Sequence, residues 1–330
     1  MNIGVLGAGT WGVALARMLC LDKKNVTVWS AIESEIDSLD KTRIHPNLPG
    51  MKIPSEIVFT KNLKETCREK EIVLIAVPSV FVRDVASKAK EYIDKETVVV
   101  CVAKGFEKDT LKTMTEIIAD EIGNEKRIVA LSGPTHAEEV ANDLPTTIVS
   151  ACADENNAKK IQDVFSNTCM RVYTNPDVKG VEICGALKNI IALACGISNG
   201  LGYGDNAKAA IITRGAAEIA RLGVAMGCNI RTFYGLAGIG DLIVTGTSVH
   251  SRNNKAGVLI GKGFSPDEAI KQVGMVVEGM HAIVPALGLS EKYNIELPII
   301  SAVNDIVNNK KDPKEMVLKL MTRDFKNESM

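Results

Sequence analysis

Short apolar runs punctuate the first half of the chain, at Ile3–Leu6, Val26–Trp29, Ile72–Val77, Val98–Ala103, Ile128–Leu131, Thr146–Val149 and Arg171–Tyr173. They are continuous rather than alternating, which suits strands covered on both faces. Polar, amphipathic stretches between them suit crossover helices. This alternation predicts an α/β architecture, a Rossmann-like doubly wound sheet with mostly parallel strands. The segment from Lys41 to Pro54 carries Pro46, Pro49 and Pro54 and is expected to be an irregular loop.

The alternation stops after Asn175-Pro176. Helices are expected at Val178–Leu201, Ala207–Met226, Pro266–Val273, Gly279–Tyr293, Pro298–Val307 and Asp312–Thr322, several opened by proline or aspartate. Glycine-rich breaks are expected at Gly196–Gly204 and Gly235–Gly246. With 330 residues the chain is long enough for two domains. The expected division is a Rossmann-like domain over 1–177 and an all-helical domain over 178–330.

Composition removes several function classes. Lys and Arg number 39 against 40 Asp and Glu, so no cationic excess is available for a nucleic-acid backbone or an anionic membrane. The eight cysteines form no CxxC pair, and four histidines are too few to complete a zinc cluster with them. No metal is expected, and the cysteines read as reduced core residues of a cytoplasmic protein. The N-terminus runs directly into Ile3 without a basic leader. No apolar run is expected to reach the roughly 18–20 residues of a membrane span.

Gly7-Ala8-Gly9-Thr10-Trp11-Gly12 is G-x-G-x-x-G. It follows a predicted strand, opens an amphipathic stretch at Val13–Leu21, and is completed by a second strand at Val26–Trp29. In that context Gly7 permits the tight turn, Gly9 the approach of a pyrophosphate, and Gly12 close helix–strand packing. The pyrophosphate would rest on helix N–H groups. An acid near the end of the second strand normally holds the ribose of NAD. Ser30 stands there instead, with Glu33 a turn later and no adjoining arginine. Cofactor preference is therefore not readable, and both NAD and NADP are expected to be accepted. Pro78, in Ala76-Val77-Pro78-Ser79, either walls the nicotinamide side or simply ends a strand.

Lys188 is the only formally charged side chain from Ile183 to Gly204. A lysine in so apolar a helix either snorkels to the surface or is held in a site, where burial would lower its pKa toward that of a general acid/base. Lys104-Gly105 follows one predicted strand at the sheet's carboxyl edge. Ser132-Gly133-Pro134-Thr135-His136 follows another, and Thr135 is either an anion ligand or an N-cap. His136 reads as an acid/base or, more simply, as a solvated histidine at a helix start. Asp241, the one acid in Leu236–Leu242, is either a cap or the partner of a lysine. Ser251-Arg252-Asn253-Asn254 concentrates donors that suit a phosphate monoester, or forms a solvated loop.

Taken together, GAGTWGVALA, VLIAVPS, KGFE, LSGPTHAEEVA, GVEICGALKNIIALACGI, ITRGAAEIARLG, LAGIGDLIVTGTS, HSRNN and VVEG resemble the bacterial-type NAD(P)-dependent glycerol-3-phosphate dehydrogenase family in order and spacing. The GALKN, GLAGIGDL and SRN blocks separate it from other dehydrogenases with a 6-phosphogluconate dehydrogenase-like helical domain. The resemblance implies interconversion of sn-glycerol 3-phosphate and dihydroxyacetone phosphate, a role in phospholipid synthesis, and a homodimer. It implies Lys188 as proton acceptor. Lys104, Gly133, Thr135, Asp241, Ser251, Arg252 and Asn253 would contact substrate. Thr10, Trp11, Ser30, Lys104, Ala137, Arg252, Val276 and Glu278 would contact cofactor. Lys104 would add positive charge near the reacting oxygen, and Asp241 would orient the Lys188 ammonium. Two departures stand out: Ser30-Ala31 where the family commonly has a basic residue, and Thr245-Gly246-Thr247-Ser248 in place of TCTS. Rival readings are a dehydrogenase for another small hydroxy acid or phosphosugar, and a nicotinamide-binding regulatory module without catalysis. Retention of Lys188, Asp241 and Arg252 argues against the latter.

Overall fold

The computed structural model describes residues 1–325 together with Asn327 and Glu328. Eight strands build one sheet: β1 (Asn2–Leu6), β2 (Asn25–Trp29), β3 (Val58–Thr60), β4 (Ile72–Ile75), β5 (Val98–Cys101), β6 (Ile128–Ser132), β7 (Thr146–Ala151) and β8 (Met170–Asn175). Their order is β3-β2-β1-β4-β5-β6-β7-β8. All neighbours run parallel except β6 and β7. The helices that connect them are α1 (Thr10–Leu21), α2 (Glu33–Thr42), α3 (Leu63–Cys67), α4 (Val82–Ala89), α5 (Met114–Ile122), α6 (Ala137–Val140) and α7 (Glu155–Val164). Among the described residues, two apolar clusters pack on the sheet, one with Val5, Leu15 and Leu74, the other with Leu6, Val73 and Ile118. Adjacent strand residues thus serve opposite faces, which explains the continuous apolar runs.

The strand β3 was not anticipated. It has three residues, too few for a periodic signal, and pairs only with β2. β4 and β5 end at Ile75 and Cys101, short of Val77 and Ala103. The chain leaves the sheet there and sets Ala76–Pro78 and Lys104, half-buried, at its carboxyl edge.

The helices that follow are α8 (Val178–Gly200), α9 (Asp205–Ala225), α10 (Ile230–Phe233), α11 (Asp241–Thr247), α12 (Arg252–Gly261), α13 (Pro266–Val273), α14 (Glu278–Tyr293), α15 (Pro298–Val307) and α16 (Pro313–Met321). Neither expected glycine-rich break is a simple loop. Gly196 and Gly200 lie inside α8, and Leu236–Gly240 forms a turn of π-helix that leads into α11. The reason at Gly196 is packing. A Cβ added at Gly196 or Gly200 would stand 2.9 Å from the Cα of Gly257 or Gly261 on α12, so four glycines let two helix backbones touch.

The fold divides into two compact units, Met1–Gly185 with Cys228–Asp241, and Ala186–Gly227 with Leu242–Met330. The change of unit falls inside α8. One expectation is corrected here: the 23 residues of α8 are long and apolar enough to cross a membrane. Their apolar stretch is entirely buried within the protein, as befits a core helix.

Candidate active site

In the first unit, Gly7 follows β1 and donates its N–H to the Trp29 carbonyl at 2.8 Å, tying the turn to β2. Its φ of +123° lies in the region that favours glycine. A Cβ there would meet the Ala76 carbonyl at 2.6 Å. Gly12, buried on α1, would press a Cβ 3.3 Å from the Ala76 side chain. Gly9 caps α1 and faces open space, with nothing within 4 Å of an added Cβ. That opening over the first turn of α1, where Thr10 and Trp11 stand, is the cradle a pyrophosphate needs. The residues therefore fit a dinucleotide.

Lys104, just past β5, donates to the Asp241 carboxylate at 2.6 Å and to the Gly133 carbonyl at 3.0 Å. Asp241 is 1% exposed, so this is a desolvated charge pair. Thr135 donates to the same Gly133 carbonyl at 3.1 Å rather than capping a helix. His136 occupies the N-cap position of the four-residue α6 without a capping side-chain bond, and Ala137 is the first residue of that helix. Lys104, Gly133, Thr135 and Asp241 are thus one cluster. Two residues of α8 bear on this arrangement, of which Gly185 reads in the sequence as a small residue allowing close approach and only Glu182 carries no signal there. Gly185 of α8 presses on this cluster, since a Cβ there would lie 2.9 Å from Ser132 Oγ and 3.4 Å from Lys104 Cγ. Glu182, one turn earlier, accepts the Thr115 N–H at 2.8 Å and so fixes α8 against the start of α5. Burial pushes the Glu182 carboxyl up to about 7.

At the end of β2, Ser30 is buried and donates its hydroxyl to Glu35 of α2 at 2.7 Å. The same hydroxyl accepts the Ile32 N–H. Glu33 instead pairs with Lys61.

In the second unit, Lys188 is 6% exposed and does not snorkel. Its ammonium donates to Thr245 Oγ1 of α11 at 2.6 Å. Thr245 has no role in the sequence reading, where it only opens the stretch whose Gly246 departs from TCTS. The Ser251–Asn254 stretch is no solvated loop: Ser251 caps α12 by accepting the Asn254 N–H, and Ser251, Asn253 and Asn254 are buried. Asn253 donates to Asn189 Oδ1 at 2.9 Å and accepts the Gly279 N–H at 2.9 Å. Arg252 donates to the Val276 carbonyl at 3.2 Å. The starts of α12 and α14 are thereby joined, with Val276 and Glu278 in the joining stretch. Asn189 is the residue after Lys188; no pattern in the sequence pairs it with Asn253.

Among the described residues no group of histidines, cysteines and acids could hold a metal. All eight cysteines are free. Burial raises the thiols of Cys67, Cys101 and Cys184 well above their ordinary value, consistent with inert core residues.

A chain with this glycine cradle and a buried lysine next to a hydroxyl is built as an NAD(P)-dependent oxidoreductase. Residues 2–158 match the family model for the N-terminus of NAD-dependent glycerol-3-phosphate dehydrogenase, and residues 177–318 match that for its C-terminus. The chain belongs to this family. A glycerol-3-phosphate dehydrogenase (NAD(P)+) of Lactobacillus delbrueckii subsp. bulgaricus is 61% identical, with 99% of this chain and 98% of the relative aligned. One from Agathobacter rectalis is 49% identical over 98% of this chain and 97% of the relative. The crystal structure of glycerol-3-phosphate dehydrogenase from Coxiella burnetii superposes with a TM-score of 0.93 at 35% identity, covering 98% of this chain and 99% of that one.

Proposed function

We propose that this protein catalyses reversible hydride transfer between NAD(P)H and dihydroxyacetone phosphate, giving sn-glycerol 3-phosphate. The observation that carries the reading is Lys188, a buried ammonium and the only formally charged side chain from Ile183 to Gly204, fixed to Thr245 Oγ1 at 2.6 Å. Gly7, Gly9, Thr10, Trp11 and Gly12 would hold the dinucleotide, together with Ser30, Ala137, Val276 and Glu278. When bound, the nicotinamide supplies or accepts the hydride. Lys188 gives a proton to the oxygen developing on C2 during reduction and takes it back during oxidation. Thr245 fixes the direction of that ammonium. Lys104, held by Asp241 and the Gly133 carbonyl, contributes positive charge to the substrate oxygen. Arg252 grips the phosphate with its planar fork, and Asn253, pinned by Asn189 and Gly279, adds a polar contact. Thr135 and Ser251 complete the substrate contacts.

The division of labour is 1–177 for the dinucleotide and 178–330 chiefly for the substrate. By resemblance to the family, the protein acts as a cytoplasmic homodimer at the head of phospholipid synthesis, and light scattering of the purified protein tests the dimer. The activity is tested by adding dihydroxyacetone phosphate to enzyme with NADH or NADPH. Loss of reduced-nicotinamide absorbance, with little loss for unphosphorylated dihydroxyacetone, is expected. No turnover with either cofactor would refute the reading.

A further inference from the structure

The carboxyl end of β2 is where a Rossmann-type sheet meets the adenosine ribose, and a carboxylate there discriminates between NAD and NADP. The backbone supplies none: Ser30 and Ala31 follow Trp29 directly. The structure brings one in from α2. Glu35 accepts the Ser30 hydroxyl at 2.7 Å, and Ser30 Oγ is itself held by the Ile32 N–H at 3.1 Å. Ser30 adjoins the glycine turn, because Trp29 accepts the Gly7 N–H. Glu35 also lies close enough to His45 to act on its charge, and His45 bonds the Ala8 carbonyl within that turn. Burial keeps the His45 imidazole neutral by lowering its pKa, so it does not offset the carboxylate.

No arginine is at hand to accept an extra phosphate. Arg43 is engaged with Asp40 at 2.8 Å and with the Ile57 carbonyl at 2.7 Å. Lys61 is shared by Asp37 at 2.8 Å and Glu33 at 3.4 Å. The edge therefore sets three carboxylates, Glu33, Glu35 and Asp37, against one lysine.

We propose that Glu35, presented by Ser30, is the cofactor-specificity residue of this chain and that the enzyme prefers NAD(H) to NADP(H). Its carboxylate accepts a hydroxyl of the unmodified ribose. Toward a 2′-phosphate it is a like charge, the repulsive element that specificity needs. This rests on the dehydrogenase reading above and names the form of the cofactor that the same site takes.

The test is equilibrium titration of the purified enzyme with NADH and NADPH, followed by calorimetry, and with ADP-ribose and its 2′-phosphorylated form. NADH and ADP-ribose should bind at least about tenfold tighter than their 2′-phosphorylated counterparts at low salt, with the gap narrowing as salt screens the repulsion. Glu35→Gln should raise NADPH affinity severalfold and lower the NADH-to-NADPH affinity ratio, since the like charge facing the 2′-phosphate is gone. Ala31→Arg, at an exposed position, should also raise NADPH affinity, and it remains informative if the Glu35 variant folds poorly. Equal binding of the two cofactors by the unmodified enzyme overturns the proposal. So does an unchanged ratio in both variants. If neither cofactor nor either fragment binds, the dehydrogenase reading itself falls, and this one with it.

Discussion

Replacing Gly257 by alanine probes the seam that joins α8 to α12. The added methyl would stand 2.8 Å from the Ile197 N and 2.9 Å from the Gly196 Cα, and closer still to the Leu193 carbonyl oxygen. Ordinary contact begins at 3.4 Å, so the overlap is about 0.5–0.6 Å against the first two atoms and larger against the third. All three belong to the backbone of one helix, so no rotamer change relieves them. The two helices must separate, and cost for such overpacking is roughly 1–3 kcal/mol or more. Alanine returns about 1 kcal/mol of helix propensity. We expect a net loss of about 2 kcal/mol, or roughly 4–8 °C in Tm for a unit of this size. Separation would also pull at the Asn253–Asn189 bond, so kcat/KM should fall with stability. Thermal unfolding followed by circular dichroism reads the first effect and cofactor oxidation the second. Gly204, with nothing within 4 Å of an added Cβ, is the control, and its alanine variant should lose at most about 1 kcal/mol of cap stability. If Gly257→Ala melts with or above the unmodified protein, the glycine seam is not what brings these helices together.

Lys188→Met keeps the chain length of a buried side chain while removing its proton. Cofactor binding should survive, and kcat should drop by on the order of 10²–10⁴; retention of most turnover in a steady-state assay would remove Lys188 from the mechanism. For Arg252→Ala, kcat/KM for dihydroxyacetone phosphate should fall by about 2–5 kcal/mol, with partial recovery in Arg252→Lys. Unphosphorylated dihydroxyacetone should be affected much less, and an equal loss on both substrates would move the phosphate grip elsewhere. Glu218 on α9 caps α15 by accepting the Ile299 N–H at 2.8 Å, and burial raises its carboxyl to about 7. The folded form therefore holds a proton that the unfolded chain releases near its ordinary value of 4.5. Its contribution to stability is full below that value and is lost as pH rises to about 7. Denaturant midpoints of Glu218→Gln should vary less over that window, and an undiminished pH slope would contradict the assignment.

The glycine fingerprint and the isolated charge at Lys188 could be read directly, because both are local. A G-x-G-x-x-G between two apolar runs states the turn, the helix start and the strand pairing within a few tens of residues. The family resemblance likewise lies in linear blocks. β3 escaped notice because three residues beside β2 carry no period. At Gly196–Gly200 the expected helix and the expected glycine-rich break overlap, and the helix prevails because contact with Gly257 and Gly261 across the seam makes Gly196 and Gly200 favourable there.

Partnerships belong to the tertiary structure alone. Lys104 meets Asp241 across 137 residues, Lys188 meets Thr245 across 57, and Asn253 meets Asn189 across 64. Glu35 was present in the sequence as an ordinary acid of an amphipathic helix; the turn of α2 against β2 aimed it at Ser30 instead of Glu33. Apolar periodicity determined which segments became strands and helices, because it is a property of neighbours along the chain. The identity of each polar contact was decided by long-range packing, which buries a donor and leaves it stable only where an acceptor has been brought alongside.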